Sequence, residues 1–419
     1  MSQSNDNGRN MNLLERLKEE INLYPEIFNY YKHEFNEPLV SLEEAKKFIL
    51  EYFVKGSKKH VLLDWGNSAE KELSFRNGHC VNVFFIGGML QRIIDPDIKI
   101  SSETGDDYSF SYIWYLTCLA HDLGYVYELK KDLGIKKTCN DCILKKTFTA
   151  KDAYKCFELN IPYTNFEFDS YKSCFISKSK QRSFSCSGIE RDWRENCHNQ
   201  CRRKVQYKGK HDIEIVGTYY TKDIMENYFR YRLFGMGVLD HGIVGADAFL
   251  SRLIENYRIQ FENNTDKGEN IHNFWNRDQK HFCCEQFMVF RYIADCIASH
   301  NVFKVGNSRS DEERYLEYGL EGLCDAYFEN ISYKKNPLLF ILCVADTLEP
   351  WKRFREYDNE TVLRKIDIDY DVLTNTITVT MSKDLLETES GKRYRRDVEG
   401  LGDWCDVRAE VILSDGQNL

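Results

Sequence analysis

Five apolar stretches of this 419-residue chain, around 79–94, 111–122, 238–256, 284–299 and 337–348, are long enough for helices buried in a bundle. Each carries or adjoins a histidine or aspartate where an aliphatic side chain belongs. That is the strongest constraint on the fold, because a polar or charged group in an apolar interior is unfavourable unless something there partners it. His121 and Asp122 follow the apolar run from Ile113 to Ala120, and Asp346 follows the run from Leu338 to Ala345. His79 opens a stretch with Val81, Val83, Phe84, Phe85 and Ile86, while Phe290, Ile293, Ala294 and Ile297 lead into His300. His241 sits in Asp240-His241-Gly242-Ile243-Val244-Gly245-Ala246-Asp247, whose small residues allow neighbouring helices to approach closely.

Around these stretches the pattern changes. Ser41 and Glu44 form a capping-box pair ahead of Ala45, Phe48, Ile49, Tyr52 and Phe53, so residues 1–70 read as an N-terminal helical segment. Residues 127–235 lack helical period, are locally basic and hold seven cysteines between 139 and 201, as an inserted module would. In 366–419, Ile366, Ile368, Tyr370 and Val372, then Ile377, Val379 and Met381, alternate with polar residues around Thr374 and Asn375, a hairpin signal. Val407, Ala409 and Val411 extend the period, so a small antiparallel sheet is expected there. The fold class is therefore mainly α, a helical domain formed by 71–126 and 236–365, with a cysteine-rich insertion and a C-terminal antiparallel β element.

A formal charge of −9 argues against a surface given over entirely to nucleic acid or anionic lipid. The polar segment Met1–Met11 has no signal-peptide core, and no uncharged apolar run approaches the length of a membrane span. Fifteen cysteines, an odd number in a long chain, fit reduced thiols better than a disulfide framework. These features predict a cytoplasmic protein without a membrane partner.

Imidazole and carboxylate together suit first-row divalent ions such as manganese, iron, cobalt, nickel and zinc. The order of His79, His121-Asp122, His241, His300 and Asp346 resembles the signature of the HD superfamily of metal-dependent phosphohydrolases. The local contexts Gly78-His79-Cys80-Val81-Asn82-Val83, Ala120-His121-Asp122-Leu123-Gly124-Tyr125, Ala298-Ser299-His300-Asn301 and Ala345-Asp346-Thr347-Leu348-Glu349-Pro350 carry that likeness, over about 70–125 and 236–355. The resemblance implies an HD-type bundle in which His79, His121, Asp122 and Asp346 hold one ion. It further implies that His241 and His300 add a second ion, with Asp122 bridging the two. The activity it implies is hydrolysis of a phosphoester or phosphoanhydride in a nucleotide or similar phosphate ester by metal-activated hydroxide, with one or two ions of Mn, Fe, Ni, Co, Zn or Mg. His121 and Asp122 would then serve catalysis, and Lys352, Arg353 and Arg76 are candidates for balancing phosphate charge.

The stretch from Asp346 to Pro350 is similar to one in a bacterial dinucleoside-tetraphosphate hydrolase group. By contrast, Leu123-Gly124-Tyr125-Val126 departs from the alarmone hydrolases, the deoxynucleotide triphosphohydrolases and the cyclic dinucleotide phosphodiesterases of the superfamily. Cys139, Cys142, Cys197 and Cys201 in the insertion are candidates for a structural zinc site, and its Lys and Arg residues for contact with nucleic acid. Two other classes stay open: an HD protein that senses nucleotides or binds nucleic acid without turnover, and an HD-type di-iron oxygenase.

Overall fold

Asn336 and Pro337 begin the helix most central to the molecule. The Asn336 side chain accepts a hydrogen bond from the Leu339 amide at 3.1 Å, and Pro337 occupies the first turn, where its missing N–H costs nothing. The helix runs Pro337–Leu348 and stops because Pro350 pushes the preceding residue, Glu349, into an extended conformation (φ −66°, ψ 113°). Ten of its residues from Pro337 to Leu348 are buried, so it has no solvent face over most of its length.

The structure, a computed structural model, describes residues 12–23, 72–101, 107–125, 148–156, 204–216, 218–250, 284–305, 309–324 and 328–414. Their helices are α1 (Leu13–Leu23), α2 (Glu72–Ile94), α3 (Phe110–Ala120), α4 (Ala150–Cys156), α5 (Lys222–Arg230), α6 (Cys284–Ser299), α7 (Arg309–Glu317), α8 (Pro337–Leu348), α9 (Asn359–Arg364), α10 (Lys383–Leu386) and α11 (Glu389–Glu399), with a further helical stretch over 241–250. The fold is mainly α-helical with two small sheets. α2 packs against α8, α3 and α1, and α6 packs against α3 and α8, so the expected apolar stretches lie against one another. None of the described helices is long and apolar enough to cross a membrane.

The C-terminal hairpin is as the alternation predicts: β5 (Ile366–Asp371) pairs antiparallel with β6 (Thr376–Met381), and Asn375 takes the left-handed conformation in the turn (φ 53°). The third strand corrects the expectation of a wholly antiparallel sheet. β7 (Arg408–Leu413) runs parallel to β6, because α10 and α11 intervene and return the chain in the same direction.

Within 127–235, the described residues 148–156, 204–216 and 218–235 pack with the main core. β3 (Lys204–Lys208) pairs with β1 (Lys99–Ser101) and β4 (Ile213–Val216), and β2 (Asp107–Ser109) completes a sheet in the order β2-β1-β3-β4. Phe148, Tyr154, Tyr207, Tyr228 and Phe229 are buried with the helices. β3 and β4 are a short strand pair, whose period of two leaves no helical spacing in the sequence. The capping-box helix expected after Ser41 and the cysteines Cys139, Cys142, Cys197 and Cys201 lie outside the described residues.

Glycine permits the closest approach in the bundle. A Cβ placed on Gly124 would stand 1.9 Å from the backbone carbonyl oxygen of His241, far inside van der Waals contact. A Cβ placed on Gly245, in the same helical stretch as His241, would stand 3.1 Å from the Gly124 amide nitrogen. Gly124→Ala should therefore destabilise the protein by about 1–3 kcal/mol, the usual cost of overpacking. Denaturant unfolding in the presence of a chelator measures this directly, and an unchanged midpoint would contradict the packing.

Candidate metal centre

All but one of the candidate ligands stand at or near a helix end, and His79 stands inside its helix. His79 lies within α2, and His121 and Asp122 follow the last turn of α3. His241 opens the 241–250 stretch, His300 directly follows α6, and Asp346 stands near the end of α8.

One ring nitrogen each of His79, His121 and His300 is already committed. His121 Nδ1 lies 2.7 Å from the Cys118 carbonyl, and His300 Nδ1 lies 2.6 Å from the Ile297 carbonyl. A carbonyl only accepts, so both Nδ1 atoms carry hydrogen and Nε2 is left to face the cluster. His79 Nδ1 lies 2.6 Å from Glu349 Oε2, the carboxylate form of the same arrangement. The fourth histidine, His241, stacks on Tyr125 with ring centroids 3.8 Å apart and planes tilted by 14°.

The free ends converge. His79 Nε2 lies 2.9 Å from Asp346 Oδ1 and 3.6 Å from Asp122 Oδ2. His121 Nε2 lies 3.4 Å from His79 Nε2, 3.4 Å from Asp122 Oδ1 and 3.8 Å from Asp346 Oδ1. On the other side of Asp122, His241 Nε2 stands 4.0 Å from Oδ1, and the His300 ring centroid lies 5.3 Å from that of His241 and 5.5 Å from that of His121. Three overlapping candidate groups result: His79, His121 and Asp346; Asp122, His241 and His300; and Cys80, His121 and Asp122, each with donor atoms within 4.8 Å of one another.

The donor set fits divalent ions. Atoms held about 2.1 Å from a common ion lie about 3.0–4.2 Å apart, depending on the angle between them. The separations within the first group, 2.9, 3.4 and 3.8 Å, match that span. Moreover, the two histidine Nε2 atoms face each other at a distance too long for a strong hydrogen bond, and a shared cation satisfies both. The buried His and Asp groups can thus hold a metal ion.

Electrostatics reinforce this. Burial alone raises the pKa of Asp122, Asp346 and Glu349, but the opposing charges of His121 and His79 at Asp122, of Lys352 at Asp346 and of His79 at Glu349 hold all three below the usual range. They are carboxylates at neutral pH, and Lys352, whose Nζ donates to Asp346 Oδ1 at 2.8 Å, is the lysine set against them. Burial lowers His79 too, yet Glu349 first, and then Asp346 and Asp122, push it up to about 9. His300 goes the other way, down to about 4, through burial and its histidine neighbours, and is a neutral ligand at physiological pH.

Asp346 is the ligand open to solvent, with 23% of its side chain exposed against 8% for Asp122 and 4% for His79. The cluster therefore meets water from the Asp346 and Lys352 side.

The structure brings together all six ligands named from the sequence, with Lys352 beside them. Arg353 goes elsewhere, donating through Nε to Asp397 on α11 at 2.7 Å. Arg76 lies on α2 before His79, and its side chain is outside the described residues. What sequence reasoning missed is the support behind the ligands. Glu349, fully buried, accepts from Asn82 Nδ2 at 2.7 Å and from the backbone amides of Trp351 and Lys352 at 3.0 and 3.1 Å, besides its contact with His79. Asn82 stands three residues after His79, on the same helical face, and a polar residue at that spacing was the available signal.

No family model matches this chain, and neither does any curated protein or solved structure.

Two outcomes follow from this geometry. Glu349→Ala strands His79 and Asn82 in the core, and should lower stability by about 3–5 kcal/mol and divalent-cation affinity by about 10–100-fold, read by denaturant unfolding and calorimetric titration. A divalent ion must displace the proton on His79 below its pKa of about 9, so apparent affinity rises with pH toward that value and binding at neutral pH releases protons. Titrations in two buffers of different ionisation enthalpy count those protons, and a count of zero would contradict the assignment.

Proposed function

We propose that this chain is a metal-dependent phosphohydrolase of the HD type, acting on a phosphoester or phosphoanhydride bond of a nucleotide or nucleotide-like substrate. The observation that carries the reading is the position of Asp122. It lies between two His/Asp groups contributed by separate helices, with Oδ2 toward His79 and Oδ1 toward His121 and His241. Such a carboxylate can serve two cations at once, as the resemblance to the HD signature implies.

Divalent ions bound there would lower the pKa of water and neutralise phosphate oxygens. The protein's own residues do the rest. His79 is held by Glu349, and His121 and His300 by backbone carbonyls, so the rings need no reorganisation when a substrate arrives. Asp346 and Lys352 form the open side, where the ammonium, 16% exposed, is placed to exchange its bond to Asp346 for one to a phosphate oxygen. The helices that carry these groups are otherwise filled with buried apolar side chains, among them Phe84, Ile113, Ile293 and Leu342, and charge interactions are stronger in such a low-dielectric interior.

The test pairs metal analysis of protein purified without chelators with a nucleotide hydrolysis screen in manganese, iron, nickel and magnesium. Asp122→Ala should lose turnover entirely and most of the bound metal while keeping the helical circular dichroism of the parent. Metal-loaded protein that binds nucleotides without releasing phosphate would redirect the reading to a sensor, and oxygen-dependent product formation without phosphate release to an oxygenase.

A further inference from the structure

Cys80 follows His79 on α2, and its sulfur shares a cluster with a ring nitrogen of His121 and a carboxylate oxygen of Asp122, all within 4.8 Å of one another. The thiol is also within hydrogen-bonding reach of the His121 ring. It differs from the other described cysteines in setting: Cys118, Cys296, Cys324, Cys343 and Cys405 are buried, as small apolar residues usually are, whereas Cys80 is partly exposed beside a charged pair. A thiol kept only for packing has no reason to face a histidine and a carboxylate that both point into a ligand cluster.

From this geometry we infer that Cys80 is itself a metal ligand, completing a Cys80, His121 and Asp122 triad around one ion of the centre. This rests on the metal-centre reading above and makes that centre chemically asymmetric. The ion touching Cys80 has a sulfur, a nitrogen and an oxygen donor, while the group of Asp122, His241 and His300 offers only nitrogen and oxygen. Thiolate selects zinc or ferrous iron over magnesium and manganese, which prefer oxygen. On binding, the sulfur–metal bond forms and the thiol proton passes to solvent, so the protein holds thiophilic ions on the Cys80 side and accepts harder ions on the other.

Cobalt(II) is a suitable probe, because thiolate ligation adds intense near-ultraviolet charge-transfer absorption to the weaker visible bands. Full-length protein, Cys80→Ser and Asp122→Ala are loaded with cobalt and compared. The expected result is that Cys80→Ser loses near-ultraviolet intensity yet keeps the visible bands of the site, and that Asp122→Ala loses those visible bands. Zinc affinity relative to manganese should also fall at least tenfold in Cys80→Ser. Unchanged near-ultraviolet absorption in Cys80→Ser, with the visible bands still dependent on Asp122, overturns the role of Cys80 alone. Visible bands indifferent to Asp122 overturn the metal centre itself. A second measurement needs no variant: zinc, unlike magnesium, should protect Cys80 of the parent protein from alkylation, read by mass spectrometry of its peptide. Equal alkylation with and without zinc, in protein whose zinc binding requires Asp122, also overturns the role of Cys80.

Discussion

The carboxylate of Glu349 holds the centre of this molecule together. It is fully buried, and an unpartnered charge there would be prohibitive, yet it accepts from His79, Asn82 and the amides of Trp351 and Lys352. Two of those partners lie on α2 and two follow the end of α8. One group therefore ties the first ligand helix to the last, closes the turn that ends α8 and orients the His79 ring. The same turn delivers Lys352 to Asp346, so the electrostatics of the open side depend on it as well.

Around that tie, helix packing does the positioning. Close approach at Gly124 and Gly245 brings the 241–250 stretch against the His121-Asp122 end of α3. Asp240 then bonds Asn301 Nδ2 at 2.6 Å and the Ile243 amide at 2.9 Å, which joins the start of the His241 helix to the residue after His300. Backbone carbonyls supply the remaining orientation. The candidate ligand set is thus a product of how several helices pack rather than of any one motif, with His79 inside α2, His241 at the start of its helical stretch and the others at or near helix C-termini.

The candidate ligands were legible in the sequence because burial makes them conspicuous: a His-Asp pair after Ala120 or an aspartate after Ala345 breaks an apolar run. The helices carrying them were legible for the same reason, and the hairpin through its period of two. What escaped depends on partners that only the folded chain defines. Two of the four partners of Glu349 are backbone amides, which have no signature in composition. Lys352 and Arg353 are adjacent in sequence and were candidates alike, but the helix ends at Leu348, and past Pro350 the chain turns so that Lys352 folds back while Arg353 meets Asp397. The parallel strand β7 was hidden because alternation reports which face a residue takes, not the direction its strand runs. The sheet strands at 204–216 were masked by a basic composition that suggested a separate unit.

The ammonium of Lys352 stands at the side where Asp346 meets solvent, while Asp122 and His79 sit deeper. Its charge treats visitors unequally by sign: an approaching cation is repelled and an approaching anion drawn in. Exchange of ions with the surroundings is slowed at the same threshold that hastens capture of negatively charged solutes, so a single side chain sets opposite rates for the two kinds of traffic.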